Sequence, residues 1–158
     1  LWQCGSALMA GPQPISPFHL AIPVDDLSAA AHFYERHFEC TRGREDSDWI
    51  DFNFFGHQLV LHRVQRGGRA RSASNPVDGE DIPVPHFGVV LEWQEFDDLL
   101  IRLSSTEAAF LVAPTIRFAG QIGEQRTCFL QDPCGNVLEF KAFRDNKMLF
   151  ARQASDDE

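Results

Sequence analysis

The sequence predicts an α+β fold made of two βαβββ modules, whose sheets pair into a curved mixed sheet around a metal or ligand cavity. Three observations predict this fold. The order strand, helix, strands occurs from residue 16 to 64 and again from 84 to 143. Both copies open on an apolar strand with a histidine near its start, and both contain one amphipathic helix. One helix covers one face of a small sheet, so the remaining faces are expected to pair.

The first module, residues 16–64, begins with a strand at about 17–24. Asp25 and Asp26 follow as an N-cap whose negative charge suits the start of a helix. One face of that helix is apolar at helical spacing, formed by Leu27, Ala30, Ala31, Tyr34 and Phe38. Short strands are predicted near 40–42, 49–54 and 58–64, with a hairpin turn before the last of them.

Residues 65–83 contain Gly, Ser, Asn-Pro and Asp-Gly but no apolar period, which predicts a long exposed linker loop. The second module, residues 84–143, has a helix with apolar positions at Phe96, Leu99, Leu100 and Leu103. Its later strands are predicted near 110–112, 116–118, 127–131 and 136–143. Residues 1–15 and 144–158 are expected to form a loose N-terminal extension and a frayed C-terminal tail.

Composition excludes several classes of function. The net charge is −9, which argues against a nucleic-acid or acidic-membrane surface, and the arginine-rich stretch 63–71 is expected to be a solvated loop. No apolar run approaches the roughly 20 residues that span a bilayer. The four cysteines have no C-x-x-C spacing. They predict reduced thiols in a cytoplasmic protein.

Three side chains on matched strands form a candidate metal site. Alternation along the strands places His19, His86 and Glu139 on the polar faces, opposite the apolar sets that lie under the helices. Two histidines and one carboxylate are the ligand set of a mononuclear metal with open positions. Ala21 and Gly88 lie two residues beyond the histidines and leave room above the sheet. The alternative is that all three are structural or substrate-binding polar residues.

A fourth residue of interest is His62. Aligning Gly56 with Gly135 places Val60 opposite Glu139, so the first module has no carboxylate ligand of its own. Gln58, Val60 and His62 share one phase, which predicts that His62 faces the cavity, either as an acid or base or as a hydrogen-bond partner of a substrate oxygen. A histidine at the rim of the cavity is the equal alternative.

Five segments carry a family resemblance. They read FHLAIPVDDL at 18–27, DFNFFGHQL at 51–59, NPVDG at 75–79, PHFGV at 85–89 and DPCGNVLEF at 132–140. On these segments the chain resembles the vicinal oxygen chelate superfamily, which includes glyoxalase I, bleomycin- and fosfomycin-resistance proteins and type I extradiol dioxygenases. Within it, the chain looks most like short predicted extradiol-type dioxygenases.

The resemblance implies paired βαβββ modules with one divalent metal held by His19, His86 and Glu139. It implies Fe(II), with Zn, Mn, Ni or Co as alternatives, and a dioxygenase that cleaves a catechol-like small molecule with O2. His62 would be the catalytic proton carrier, and the substrate contacts would be Gln58, Arg117 and Gln125. The alternatives are a glyoxalase-like lyase, isomerase or epimerase, and a non-catalytic resistance-type binding protein. A homodimer is expected.

Overall fold

The computed structural model describes residues 15–65, 73–77 and 80–151. Residues 1–14, 66–72, 78–79 and 152–158 lie outside the described part, and with them most of the predicted N-terminal extension, of the arginine-rich stretch and of the end of the tail. The first module contains one helix and four strands: β1 (His19–Val24), α1 (Leu27–Phe38), β2 (Thr41–Asp46), β3 (Trp49–Phe54) and β4 (His57–Arg63).

Local chemistry accounts for the helix of the first module. The side chain of Asp26 accepts a hydrogen bond from the backbone N–H of Ala29 at 2.9 Å and caps the first turn. The helix ends at Phe38, and the next residue, Glu39, is its C-cap with a left-handed φ of 52°. The predicted apolar face is buried, with Ala30, Ala31 and Tyr34 fully inaccessible to solvent.

The sheet of the first module has the order β1-β4-β3-β2, and β1 runs parallel to β4. The register pairs His19 with Gln58 and Ala21 with Val60. In β1, Ile22 and Val24 are buried under the helix, whereas His19, Ala21 and Pro23 are exposed on the opposite face. The alternation predicted for this strand is therefore present, and its polar face is open to solvent in this chain.

The second module contains α2 (Trp93–Ser105), β7 (Phe110–Arg117), β8 (Gln125–Gln131), β9 (Val137–Phe143) and a short 3-10 helix (Asn146–Phe150). The order β7-β8-β9 is antiparallel throughout. Two short strands were expected between 110 and 118, but β7 is one continuous strand. Its register shifts on both sides of Val112, and these irregularities accommodate Pro114, which has no N–H for a regular ladder.

The predicted opening strand of the second module is irregular. Residues 86–91 lie parallel to β9 and are joined to it by two isolated bridges, Phe87 to Leu138 and Val90 to Lys141. Gly88 explains the close contact, because a Cβ atom there would lie 1.7 Å from the carbonyl oxygen of Glu139. The space that Gly88 leaves is thus occupied by a neighbouring strand, one of the two uses of a strand glycine.

The linker differs from the long loop that the sequence predicts. The stretch expected to be a loop contains a hairpin, β5 (Ala73–Val77) paired antiparallel with β6 (Glu80–Val84). Ile82 on β6 is 4% exposed and packs in a cluster with Phe129 and Val137 of the second module. Burial of Ile82 attaches the hairpin to the second module, and isolated apolar positions of this kind produce no detectable period in the sequence.

The two modules share one core on their helix-covered faces. Phe38 and Phe140 have ring centroids 5.1 Å apart, and Phe54 and Phe87 lie 5.8 Å apart, so both pairs cross between modules. The hydroxyl of Tyr34 donates to Oδ2 of buried Asp132 at 3.1 Å. The α+β class and curved sheets are as predicted. Within the described ranges, no helix combines the length and apolar character that crossing a membrane requires.

Candidate metal centre

His86 and Glu139 meet on the polar face of the second module. Nε2 of His86 lies 3.1 Å from Oε2 of Glu139, and the two side chains are 27% and 10% exposed. Glu139 is on β9, and His86 lies at the start of the segment that runs parallel to it. These are two of the three side chains that the sequence analysis named as metal ligands.

The other nitrogen of the His86 ring fixes its orientation. Nδ1 lies 2.7 Å from the backbone oxygen of Pro83, at the end of the hairpin. A carbonyl oxygen only accepts, so Nδ1 carries a proton and Nε2 is the nitrogen turned toward the carboxylate. Ligating histidines commonly hold their second ring nitrogen in this way. An imidazole nitrogen and a carboxylate oxygen are donors that suit a divalent ion, and these two atoms lie 3.1 Å apart.

The second oxygen of Glu139 has its own partners. The hydroxyl of Thr127 donates to Oε1 at 2.7 Å, and Nζ of Lys141 lies 3.1 Å from the same atom. Oε1 is therefore satisfied by the protein, which leaves Oε2 as the oxygen that faces His86. Thr127 was not predicted as a site residue, because the phase of its strand could not be fixed. The register settles it by pairing Thr127 with Lys141 and Phe129 with Glu139.

His19 lies apart from this pair. It is exposed, and its Nδ1 is 2.7 Å from Oε1 of Gln58. Across the part of the chain that the structure describes, no three His, Cys, Asp or Glu side chains are grouped closely enough to hold a metal. One chain thus brings together two of the three candidate ligands. Val60 lies beside Ala21, as Glu139 lies beside Gly88, so the first module lacks a carboxylate at the matching position.

The remaining predicted residues lie in separate places. His62 is exposed and pairs with Pro23, four residues along β4 from Gln58 and so about 13 Å away at 3.3 Å per residue. Gln58 contacts His19. Arg117 and Gln125 pair with each other at the ends of β7 and β8 and are half-buried. Gln125 also pairs with Phe143, four residues from Glu139 along β9.

A cavity of about 230 Å³ lies between the modules. Its lining is mostly aromatic and aliphatic, with Phe18, Leu20, Phe54, Leu59, Phe87 and Val89, and it also includes His57, Gly88 and the predicted substrate contact Gln58. Neither His19 nor Glu139 lines this cavity.

The described cysteines Cys40, Cys128 and Cys134 are buried and free. Burial, and then the nearby charge of Glu139, raise the pKa of Cys128 to about 12. Burial likewise raises the pKa of Cys40 to about 12. Neutral thiols are poor nucleophiles and poor metal ligands, so these cysteines belong to the core.

The comparisons with known proteins identify the family to which this fold belongs. The family model described as "Glyoxalase/Bleomycin resistance protein/Dioxygenase superfamily" matches residues 16–140. No curated protein matches the chain. Among solved structures, a glyoxalase/bleomycin resistance protein/dioxygenase from Alicyclobacillus acidocaldarius is 36% identical, with a TM-score of 0.72, and the match covers 87% of this chain and 98% of that one.

Two more distant structures share the fold. Lactoylglutathione lyase from Agrobacterium tumefaciens is 21% identical with a TM-score of 0.56, and the match covers 83% of this chain and 96% of that one. The fosfomycin resistance protein FosX from Listeria monocytogenes is 16% identical with a TM-score of 0.60, covering 89% and 98%. The repeated module, the polar strand faces and the family match together lead to one conclusion: this chain belongs to the glyoxalase/bleomycin resistance/dioxygenase superfamily, the vicinal oxygen chelate proteins.

Proposed function

We propose that this protein is a metal-dependent enzyme acting on a small molecule with two neighbouring oxygens, and that its reaction is extradiol-type cleavage of a catechol by O2. The observation that supports the proposal is the contact between Nε2 of His86 and Oε2 of Glu139 at 3.1 Å. Both groups have their remaining polar atoms satisfied by the protein, at Pro83 and Thr127. Each therefore has one donor atom to offer a cation.

The third ligand in this proposal is His19 of a second copy of the chain. His19 is exposed on the open polar face of the first module and is not grouped with His86 and Glu139 in its own chain. A two-fold dimer would bring the first module of each copy to the second module of the other and complete two equivalent sites. The exposed face of β1 is then part of an interface.

The protein's own residues position the reactants. His86 and Glu139 hold the cation, and Thr127 and Lys141 keep the carboxylate turned toward it. The ammonium of Lys141 lies at the edge of the site and attracts the negative oxygen of a deprotonated diol. A bound Fe(II) would supply Lewis acidity and electron transfer to O2. Val60 stands where the first module would carry a residue matching Glu139, so three side chains rather than four would hold the ion, which would leave room beside it for substrate and O2.

The first test is metal content and activity. The chain is purified, loaded with Fe(II) under argon, dialysed, and then exposed to air with a panel of catechols. We expect one ion per site and a yellow ring-opened product. Glu139→Ala should lose the ion and the activity. Glu45→Ala is the matched control, since it removes an exposed strand glutamate that pairs with Arg42, and it should change neither.

The outcomes separate the possible functions. Turnover with Ni(II), Co(II), Zn(II) or Mn(II) in the absence of O2 would overturn dioxygenase chemistry in favour of a lyase, isomerase or epimerase. Ligand binding that survives Glu139→Ala would indicate a binding protein without chemistry. A wild-type protein that binds none of these ions would end the proposal of a metal centre.

A mixing experiment tests the shared site. His19→Ala and Glu139→Ala each destroy every site in their own homodimers. In a mixed dimer of the two variants, one site carries both changes and the other carries neither. Metal binding recovered on mixing the two inactive variants is the expected result. If the variants exchange subunits but the mixture binds no metal, His19 is not a ligand to the metal site of the partner chain.

A further inference from the structure

A buried carboxylate lies behind His19 on the polar face of the first module. Asp51 is on β3 and is 7% exposed. Its Oδ2 accepts hydrogen bonds from Nη2 of Arg44 at 3.1 Å and from Nε2 of Gln58 at 3.2 Å. The same Gln58 lies opposite His19 in the strand register. Four side chains therefore form one continuous row, Arg44 to Asp51 to Gln58 to His19.

This row has a defined direction. A carboxylate only accepts hydrogen bonds, so Asp51 selects the amino group of the Gln58 amide. The amide oxygen of Gln58 must then point the other way, toward Nδ1 of His19, which lies 2.7 Å from it. Since that oxygen also only accepts, Nδ1 of His19 is the nitrogen that carries the proton. The lone pair is left on Nε2, the nitrogen exposed for a cation.

The same result is reached independently in the second module. There Nδ1 of His86 donates to the backbone oxygen of Pro83 at 2.7 Å, which also leaves Nε2 for coordination. His19 and His86 occupy equivalent positions in the two modules. Both are held in one tautomer, by a side-chain amide in the first case and by the backbone in the second.

We propose that Asp51 and Gln58 are positioning residues that fix His19 in the tautomer able to bind metal. This inference rests on the proposed function, because it assigns the row to the His19 ligand. It also moves Gln58 from the substrate contacts to the support of a ligand. The segment DFNFFGHQL at 51–59 contains both residues, so the row gives this segment a physical role.

The test compares Gln58→Leu with Gln131→Leu. The control removes an exposed strand glutamine whose amide contacts a backbone oxygen, that of Gly135. Nitrogen-15 NMR of the metal-free protein reads the His19 tautomer, and calorimetric titration with Zn(II) reads metal affinity. In Gln58→Leu we expect the Nδ1–H tautomer to give way to a mixture, and Kd for the ion to rise about 10–100-fold, the usual cost of removing such a partner. Gln131→Leu should match wild type in both measurements.

A second variant keeps the proposal testable if Gln58→Leu does not fold. Asp51→Asn preserves the volume but lets the Gln58 amide turn over, since an asparagine both donates and accepts. It should give the same mixture of tautomers with a smaller loss of affinity. A His19 that keeps Nδ1–H and full metal affinity in these variants would overturn the inference. Suppose that the wild-type chain binds no ion while Gln58→Leu still changes the His19 tautomer. That result would disprove the proposed function but would confirm that Gln58 orients His19.

Discussion

Both modules place one helix against a small sheet, but the polar faces of the two sheets differ in their exposure. In the first module the face around His19 is open, and side chains alone orient the histidine. In the second module the hairpin packs against the sheet through Ile82, and a backbone oxygen orients His86. The histidine held by the backbone is the one already in contact with a carboxylate. His19, on the open face, is oriented by the side chain of Gln58, which can be substituted. The two modules can therefore be compared by mutating one module at a time.

The sharpest difference is at the matched positions Ala21 and Gly88. Gly88→Ala would place a methyl group only 1.7 Å from the carbonyl oxygen of Glu139. Because a backbone atom cannot move aside as a side chain can, we expect a loss of at least about 3 kcal/mol in the free energy of unfolding. The reverse change, Ala21→Gly, should cost only about 0.5–1 kcal/mol. Urea unfolding of the two variants measures both changes in the free energy of unfolding. Similar losses in the two variants would mean that the strands pack equally closely at Ala21 and at Gly88.

The hairpin gives the next largest effect. Ile82→Ala removes the buried side chain that attaches β6 to Phe129 and Val137. We expect a loss of about 2–3 kcal/mol, with faster amide exchange in β6 and around His86. Ile101→Ala is the control, since Ile101 is 69% exposed on α2. Unchanged amide exchange near His86 in Ile82→Ala would mean that the hairpin does not protect the polar face of the second module from solvent.

A smaller effect is expected where the modules are joined by Tyr34 and Asp132. Tyr34→Phe removes one buried hydrogen bond and should cost about 1–2 kcal/mol at neutral pH. Burial, and then the charge of Asp132, raise the pKa of Tyr34 well above its usual value of 10.0. The folded state therefore favours the neutral phenol. Wild type loses this contribution to its stability as the pH rises above 10.0, the pKa of the unfolded tyrosine, and Tyr34→Phe has no such contribution to lose.

The difference in the free energy of unfolding between wild type and Tyr34→Phe should therefore become smaller at alkaline pH. Tyr34 is the one tyrosine of the chain, so ultraviolet absorbance reports on this group alone. A Tyr34 that ionises at its usual value while the protein stays folded would contradict the buried link between modules.

The smallest expected change is at Cys128, beneath the polar face of the second module. Its raised pKa of about 12 and its complete burial predict no alkylation by iodoacetamide in the folded protein under mildly alkaline conditions. Mass spectrometry of the native and the denatured chain checks this. Rapid labelling of native Cys128 would show that the second module opens more readily than its closed face suggests.

Features that depend on near neighbours along the chain could be predicted from the order of residues alone. Period 3.6 identified α1 and α2, and period 2 placed His19, Glu139 and Lys141 on polar faces. The internal repeat matched Val60 with Glu139. These features follow from backbone geometry, which is local and leaves a regular pattern in the amino-acid sequence.

Packing of the folded chain sets which of those side chains meet. It places His86 against Glu139 and leaves His19 apart, and it makes Gln58 the partner of His19. It also brings Ile82 of the hairpin against the second module, within a stretch that the sequence predicts to be a loop. Contacts of this kind join residues far apart in sequence, and their distances depend on how whole strands and modules pack. No local period records that packing, so it becomes visible only when the chain is folded.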